Sequence, residues 1–568
     1  MDGTTTPPEQ TPRRIADAYV DALVELDPVL ATSLGAPSGQ DRWPDWSPDG
    51  AQAQEDLRRR TLAELDAAEA AAGGRDRLPD EERRCARLLR ERLEAHLAVA
   101  EAGEELRRLD TLFSPPQSVR QVFTIMPTST DEQWETVAAR LERIPEALLG
   151  YRRGLAEGRD RQLVAGPRQV EAVVAQLGGW ARDGGWFSGF ARTGPEALSA
   201  RLQRAGADAD AAVADLRAWL AAEYAPAAQR RRDPVGREAY RRWVRYWSGA
   251  DLDVDEAYAW GWTEYARLDA ELRAEAQRVL PGSTPKQAMA HLDRHGPAVE
   301  GVEAVRQHLQ GLMDGAISAL DGVHFDLAEP VRRVESMIAP EGAAAAPYYM
   351  SPSEDFSRPG RTWLPTMGRT RFPLWDLVST WYHEGVPGHH LQLAQWVYVA
   401  PQLSRYQTGV GSVSANAEGW ALYAERLMDE LGFLGDPAAR LGYLDAQQMR
   451  AVRVVVDIGM HLELPIPADQ GVDEPFAPGE TWTPQLAREF FGRNSGRPGD
   501  FLDSEIVRYL GWPGQAIGYK LGERAWLAGR DAARRAHGAS FDAKAWHMAA
   551  LSQGSLGLDD LVAELAAL

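Results

Sequence analysis

Three of the chain's eleven histidines fall within eight positions, in the run Trp381-Tyr382-His383-Glu384-Gly385-Val386-Pro387-Gly388-His389-His390-Leu391-Gln392. Neutral imidazole is the commonest protein ligand for zinc, and a His-Glu pair can supply both a ligand and a base that takes a proton from water. In the HExxH arrangement the two histidines stand four apart on one helical face. Here His389 and His390 follow His383 by six and seven residues. Six residues of regular helix turn to nearly the opposite face, and seven return to the same face about 10 Å further on. An unbroken helix therefore cannot bring them together.

Pro387-Gly388 offers a way out. Pro387 cannot donate to the carbonyl of His383, and its ring crowds that carbonyl. Gly388 accepts torsions that a looped-out turn demands. A kink here lets a later histidine take the place that the fourth residue holds in a regular helix. His389 needs the shorter excursion and is the favoured ligand. His390 then sits behind the ligands or faces substrate, although the two could exchange roles. The competing reading is a set of packed or surface histidines.

Zinc sites that do chemistry keep three protein ligands and one open position. Glu418, in Ser414-Ala415-Asn416-Ala417-Glu418-Gly419-Trp420-Ala421-Leu422-Tyr423-Ala424-Glu425, is the candidate third ligand, with Glu425 two turns on. Both would otherwise be surface charges of an amphipathic helix. A second row, Arg453, Asp457 and His461, shares one face of a valine-rich helix at four-residue spacing. Buried ionisable groups need partners. Asp457 could accept from a histidine ligand, and His461 could serve an oxyanion or a leaving amine. A buried structural ion pair explains the row equally well. Gln515 and Tyr519, at a helix start, could line a cleft, where Tyr519 could hydrogen-bond a transition-state oxygen or simply anchor packing. The stretches Ala346–Tyr349 and Arg358–Arg361 read as edge strand able to pair with an extended peptide.

The elements that must position these residues are mostly helical. Apolar residues recur at three- and four-residue spacing over Ile15–Leu34, Ala51–Ala72, Glu81–Ala102, Thr130–Arg143, Pro195–Ala222, Val254–Leu280 and Val299–Leu320. Pro195 suits a first helical position. Short β-compatible runs follow at Val331–Ile338, Pro347–Met350 and Arg361–Met367. Helices resume after Pro373, interrupted by a loop from Pro465 through Pro484. The expected fold is mainly α, a large helical body around a deep cleft with a small β-sheet at its edge. It divides into a helical N-terminal half, 1–325, and a C-terminal half, 326–568, carrying the β region at about 326–372 and the metal-site helices, the two forming one integrated unit.

Composition narrows the partners. Hydrophobic residues make up 44% and charged residues 26% of the 568, a globular balance. The net charge of −21 repels phosphate backbones, which argues against nucleic acid. No apolar run reaches the roughly 18 residues of a membrane span. The opening MDGTTTPPEQTPRR shows no signal-peptide core, so the expected setting is cytoplasmic. The single cysteine, Cys85, reads as a packed thiol.

His383–Gln392 followed by Glu418–Glu425 resembles the bacterial family catalogued as domain of unknown function 885. So do Ser357–Gly360, Arg453–His461 and Trp512–Gly522. The resemblance implies a zinc peptidase similar in outline to thimet-oligopeptidase-like and carboxypeptidase-Taq-like helical enzymes. It also implies His383, His389 and Glu418 as ligands of one zinc ion and Glu384 as general base. Manganese or cobalt could replace zinc. The expected substrate is a short peptide; the alternatives are a metal-dependent amidase acting on another amide and a silent binding protein. Substrate length, end preference and oligomeric state stay open.

Overall fold

The structure, a computed structural model, describes residues 10–340 and 346–568. The leader reading of the first nine residues lies outside them. Helices dominate and strands are few, so the protein is mainly α. Among the described residues no helix is long and apolar enough to cross a membrane.

The described residues form two compact units, one of residues 10–78, 92–242 and 504–513, the other of 79–91, 243–340, 346–503 and 514–568. The change of texture at 325/326 falls inside the second. In the first unit, helices Asp131–Glu142, Ile144–Asp160, Pro167–Trp180 and Ser199–Trp219 pool their apolar faces. Val137, Leu141, Leu148, Val170, Leu177, Leu202 and Val213 are buried there.

Three expected helices are shorter than their periodicity predicts. The stretch from Ile15 to Leu34 is two helices, Pro12–Leu26 and Pro28–Ser33. Asp27 separates them, its carboxylate accepting from the Val29 and Leu30 N–H groups, because Pro28 can only begin a helix here. Pro195 precedes a single 3₁₀ turn, and the α-helix itself starts at Ser199. Val299 belongs to a strand, with helix Val302–Leu320 beginning after Gly301.

The second unit holds the histidine segment. The helices that position it are α1 (Val254–Val279), α2 (Leu377–Glu384), α3 (His389–Tyr398), α4 (Ser414–Glu430), α5 (Pro437–Leu462) and α6 (Gly518–His537). Helix α5 is buried over nearly its whole length. Gly261 of α1 lies against Val454 and Val455 of α5, where a side chain would not fit. The sheets are small. Strand β1 (Ala298–Glu300) pairs antiparallel with β5 (Arg371–Pro373). Strands β2 (Val334–Ile338), β3 (Tyr348–Met350) and β4 (Gly360–Leu364) form a sheet ordered β2-β4-β3, parallel between β2 and β4 and antiparallel between β3 and β4. The loop between α5 and the helix Pro484–Arg493 runs where its prolines and glycines predict.

Candidate metal centre

Helix α2 stops at Glu384 and α3 starts at His389, so Gly385–Gly388 is a tight turn rather than a bulge within one helix. Its hydrogen bonds close it: Gly388 N–H donates to Tyr382 O at 3.0 Å and His390 N–H to Gly385 O at 3.1 Å. A Cβ at Gly388 would overlap the carbonyls of His383 and Tyr382, so only glycine fits. From α4 the Trp420 indole donates to Pro387 O (2.9 Å) and Gly388 O (3.1 Å). The turn is thus clamped by the helix that carries Glu418.

The outcome is a convergence. His383 Nε2 lies 3.4 Å from Glu418 Oε2, and His389 Nε2 lies 3.6 Å from the same oxygen. One donor atom from each of the three residues falls within 4.8 Å of the others. Among the described residues this is the one group of three or more His, Cys, Asp or Glu side chains so placed. A tetrahedral site with bonds of about 2.0–2.2 Å holds its ligand atoms about 3.3–3.6 Å apart. The two measured spacings to Glu418 match that geometry and are long for charge-assisted hydrogen bonds. Glu418 Oε2 and His389 Nδ1 are buried without a hydrogen-bond partner among the described residues. The donor set and its orphaned oxygen fit a zinc ion. Side-chain exposures of 21% at Glu418 and 13% at His389 leave one side of the group within reach of solvent.

Behind His383 the arrangement is closed. Its Nδ1 lies 2.8 Å from Glu425 Oε1, and Ser379 Oγ donates to Glu425 Oε2. Arg450 of α5 approaches Glu425 Oε1 at 3.8 Å. The carboxylate hydrogen-bonded to a candidate ligand is therefore Glu425 and not Asp457, which accepts from Gly514 N–H at 2.9 Å.

The field favours positive charge. Burial disfavours the His383 imidazolium, but the Glu418 and Glu425 carboxylates outweigh it and lift its pKa to about 9. Burial pushes Glu418 up, yet the two facing imidazoles hold it well below the carboxylate range. Glu425 is also lowered, since Arg450 and His383 overcome its burial. Glu384 goes the other way, raised by burial. Its carboxylate makes no hydrogen bond among the described residues, which leaves it available to water.

His390 is fully buried and turned away. Its Nε2 donates to Val331 O at 2.7 Å, and its Nδ1 meets Tyr349 Oη at 3.0 Å. Burial lowers its pKa to about 4. The histidine beside His383 is His389, and His390 ties α3 to β3.

The second row lies on α5. Asp457 and His461 are fully buried, 3.8 Å apart. Arg453 stacks on the Tyr519 ring at 4.8 Å. Gln515 Nε2 lies 3.4 Å from Ser414 Oγ, one turn before Glu418, and so borders the ligand helix. Arg361 pairs with Glu335, and Gly360 abuts His390 and Tyr349. Ser379 and Arg450 escaped the sequence reading. Ser379 stands one turn before His383 and Arg450 one turn before Arg453, but neither spacing announces a shared glutamate.

The chain belongs to the family described as "Bacterial protein of unknown function (DUF885)", whose model matches residues 28–565. Two solved structures share the fold. One is titled "putative lipoprotein from Colwellia psychrerythraea", at 21% identity and TM-score 0.76, covering 98% of both chains. The other, from Shewanella oneidensis, is titled a "putative lipoprotein of unknown function", at 18% identity and TM-score 0.73, covering 98% of this chain and 99% of that one. No curated protein matches the chain.

Proposed function

We propose that this DUF885 protein is a zinc-dependent hydrolase acting on short peptides or related amides. One observation carries the reading: two imidazole nitrogens and an orphaned carboxylate oxygen converge at ligand spacing next to an unengaged, buried glutamate. His383, His389 and Glu418 would hold the metal. Zinc supplies Lewis acidity, polarising a carbonyl and acidifying water.

The chain's own residues do the rest. Glu384, made more basic by burial, takes the proton from water and passes it to the leaving amine. Glu425 fixes the His383 ring so that Nε2 faces Glu418. Tyr519 would offer its hydroxyl to the developing oxyanion, with Arg453 against its ring. The cytoplasmic setting belongs to the same proposal, and cell fractionation tests it.

Elemental analysis of freshly purified protein, beside His383→Ala and Glu418→Ala, is the decisive measurement. About one zinc per chain, lost in both variants, supports the three-ligand site. Peptide and amide substrates are then screened with Glu384→Gln as the inactive, metal-retaining control. Protein that holds no metal and takes up no added zinc, cobalt or manganese overturns the reading.

A further inference from the structure

Glu425 is fully buried, and both its oxygens are engaged by one face of α2. Ser379 and His383 stand one turn apart on that helix, so a single carboxylate bridges them. Their turn is the last of α2. Gly385 N–H still bonds to Trp381 O at 2.9 Å, and beyond it the helix gives way to the turn. The end of α2 carries the His383 ring and the Glu384 carboxylate, yet has no further helix to hold it. Glu425 secures it from the side.

Arg450 completes the arrangement from α5. One Nη donates to its own helix at Ala446 O (3.1 Å), and the other lies 3.8 Å from Glu425 Oε1. Among the described residues Glu425 is the only carboxylate within 4.0 Å of that guanidinium. A buried carboxylate without a cation or hydroxyl donor is costly, and a mobile one could not fix a ring.

We propose that Ser379 and Arg450 are positioning residues: they hold Glu425 so that its Oε1 takes the His383 Nδ1 proton bond and leaves Nε2 as the lone pair facing His389 and Glu418. The inference rests on the zinc reading above and deepens it. A carboxylate accepts and does not donate, so Nδ1 must carry the hydrogen in this pairing. The tautomer with Nε2 free is the one a metal can use. Without Ser379 or Arg450, Glu425 can swing, the ring loses its orientation, and the helix end that carries Glu384 loosens with it.

The test is metal affinity by chelator competition, with the visible spectrum of cobalt-loaded protein as a second readout. Glu425→Gln and Arg450→Met are expected to weaken zinc binding about 10- to 100-fold, the usual cost of losing such a supporting partner. The cobalt bands should broaden or shift. Arg450→Lys and Ser379→Thr, which keep the charge and the hydroxyl, should restore both towards wild type; a merely structural role would not show that pattern. Ser379→Ala, the mildest change, decides the matter if the larger substitutions do not fold. Wild-type affinity and an unchanged cobalt spectrum in folded Ser379→Ala and Arg450→Met overturn this proposal alone. Failure of the wild type to bind zinc or cobalt overturns the zinc reading together with it.

Discussion

Two buried charged clusters in the second unit make opposite use of similar residues. Around Lys520 every charged group is matched. Its ammonium donates to Gln447 Oε1 at 2.8 Å, lies 2.9 Å from Glu264 Oε1, and pairs with Glu523. Glu264 is held by Arg267 through both oxygens, and Glu523 accepts from Arg426 at 3.1 Å. Three donors meet three acceptors, and the cluster joins α1, α5 and α6. Around Glu418 the contacts are longer, one oxygen has no partner, and the nitrogens point at a common place instead of at each other. In the first cluster the charges are all paired, with only the Gln447 amide nitrogen left over; in the second an ionisable oxygen itself has no partner. What separates a structural ion network from a binding site is whether its valences are exhausted, and burial and charge do not reveal that.

The largest effect expected from this contrast is at Lys520. Lys520→Met removes the cation that Glu264 and Glu523 share, leaving each with its arginine alone, and should cost roughly 3–5 kcal/mol in urea unfolding. Glu418→Ala removes a carboxylate with one unpartnered oxygen, attracted only by the two imidazoles, and should cost metal-free protein less than that. Equal destabilisation by the two variants would erase the distinction.

A smaller effect is the acid limb. Burial raises the Glu264 pKa, but Arg267 and Lys520 win and hold it at about 2, below its unfolded value of 4.5. Its contribution is therefore present above pH 4.5 and lost as pH falls towards 2, up to roughly 3 kcal/mol. Glu264→Gln should flatten the stability profile over that window. A profile as steep as wild type would place the acid sensitivity elsewhere.

The smallest expected effect concerns His390. Tyr349→Phe removes its phenolic partner and should cost about 1 kcal/mol. Metal content should not change, because His390 lies outside the converging group. A loss of metal in this variant would reopen the choice between His389 and His390.

The sequence announces the converging residues because their signal is local. His-Glu, the Pro-Gly interruption and the Glu418–Glu425 spacing all lie within a helix or a turn. The mainly α character follows from periodicity for the same reason. What supports the site is non-local. His390 meets Val331, 59 residues away, and Lys520 meets Gln447, 73 away. Asp457 pairs with the backbone of Gly514, so the expectation that it backs a histidine ligand fails while Glu425 takes that part. Such pairings depend on which helix faces meet, and residue spacing along one element does not encode them. Single-residue events also hide inside a pattern: Asp27-Pro28 divides a helix whose apolar repeat continues through it.

Helix α4, which carries Glu418, rests on α6 with almost no cushion. A Cβ on Gly419 would overlap the Gly522 backbone, and one on Gly522 would overlap Ala415 O, so the two backbones touch directly. Side chains can rotate to absorb a strain, but touching backbones cannot. A stiff mounting of this kind makes ionic radius a criterion for entry. Calcium, with oxygen bonds of about 2.3–2.6 Å against the roughly 2.0–2.2 Å of zinc, would need its carboxylate to retreat. Here the retreat falls to the Glu418 side chain alone, because α4 cannot give way towards α6. The glycine pair would then discriminate between ions without touching any of them.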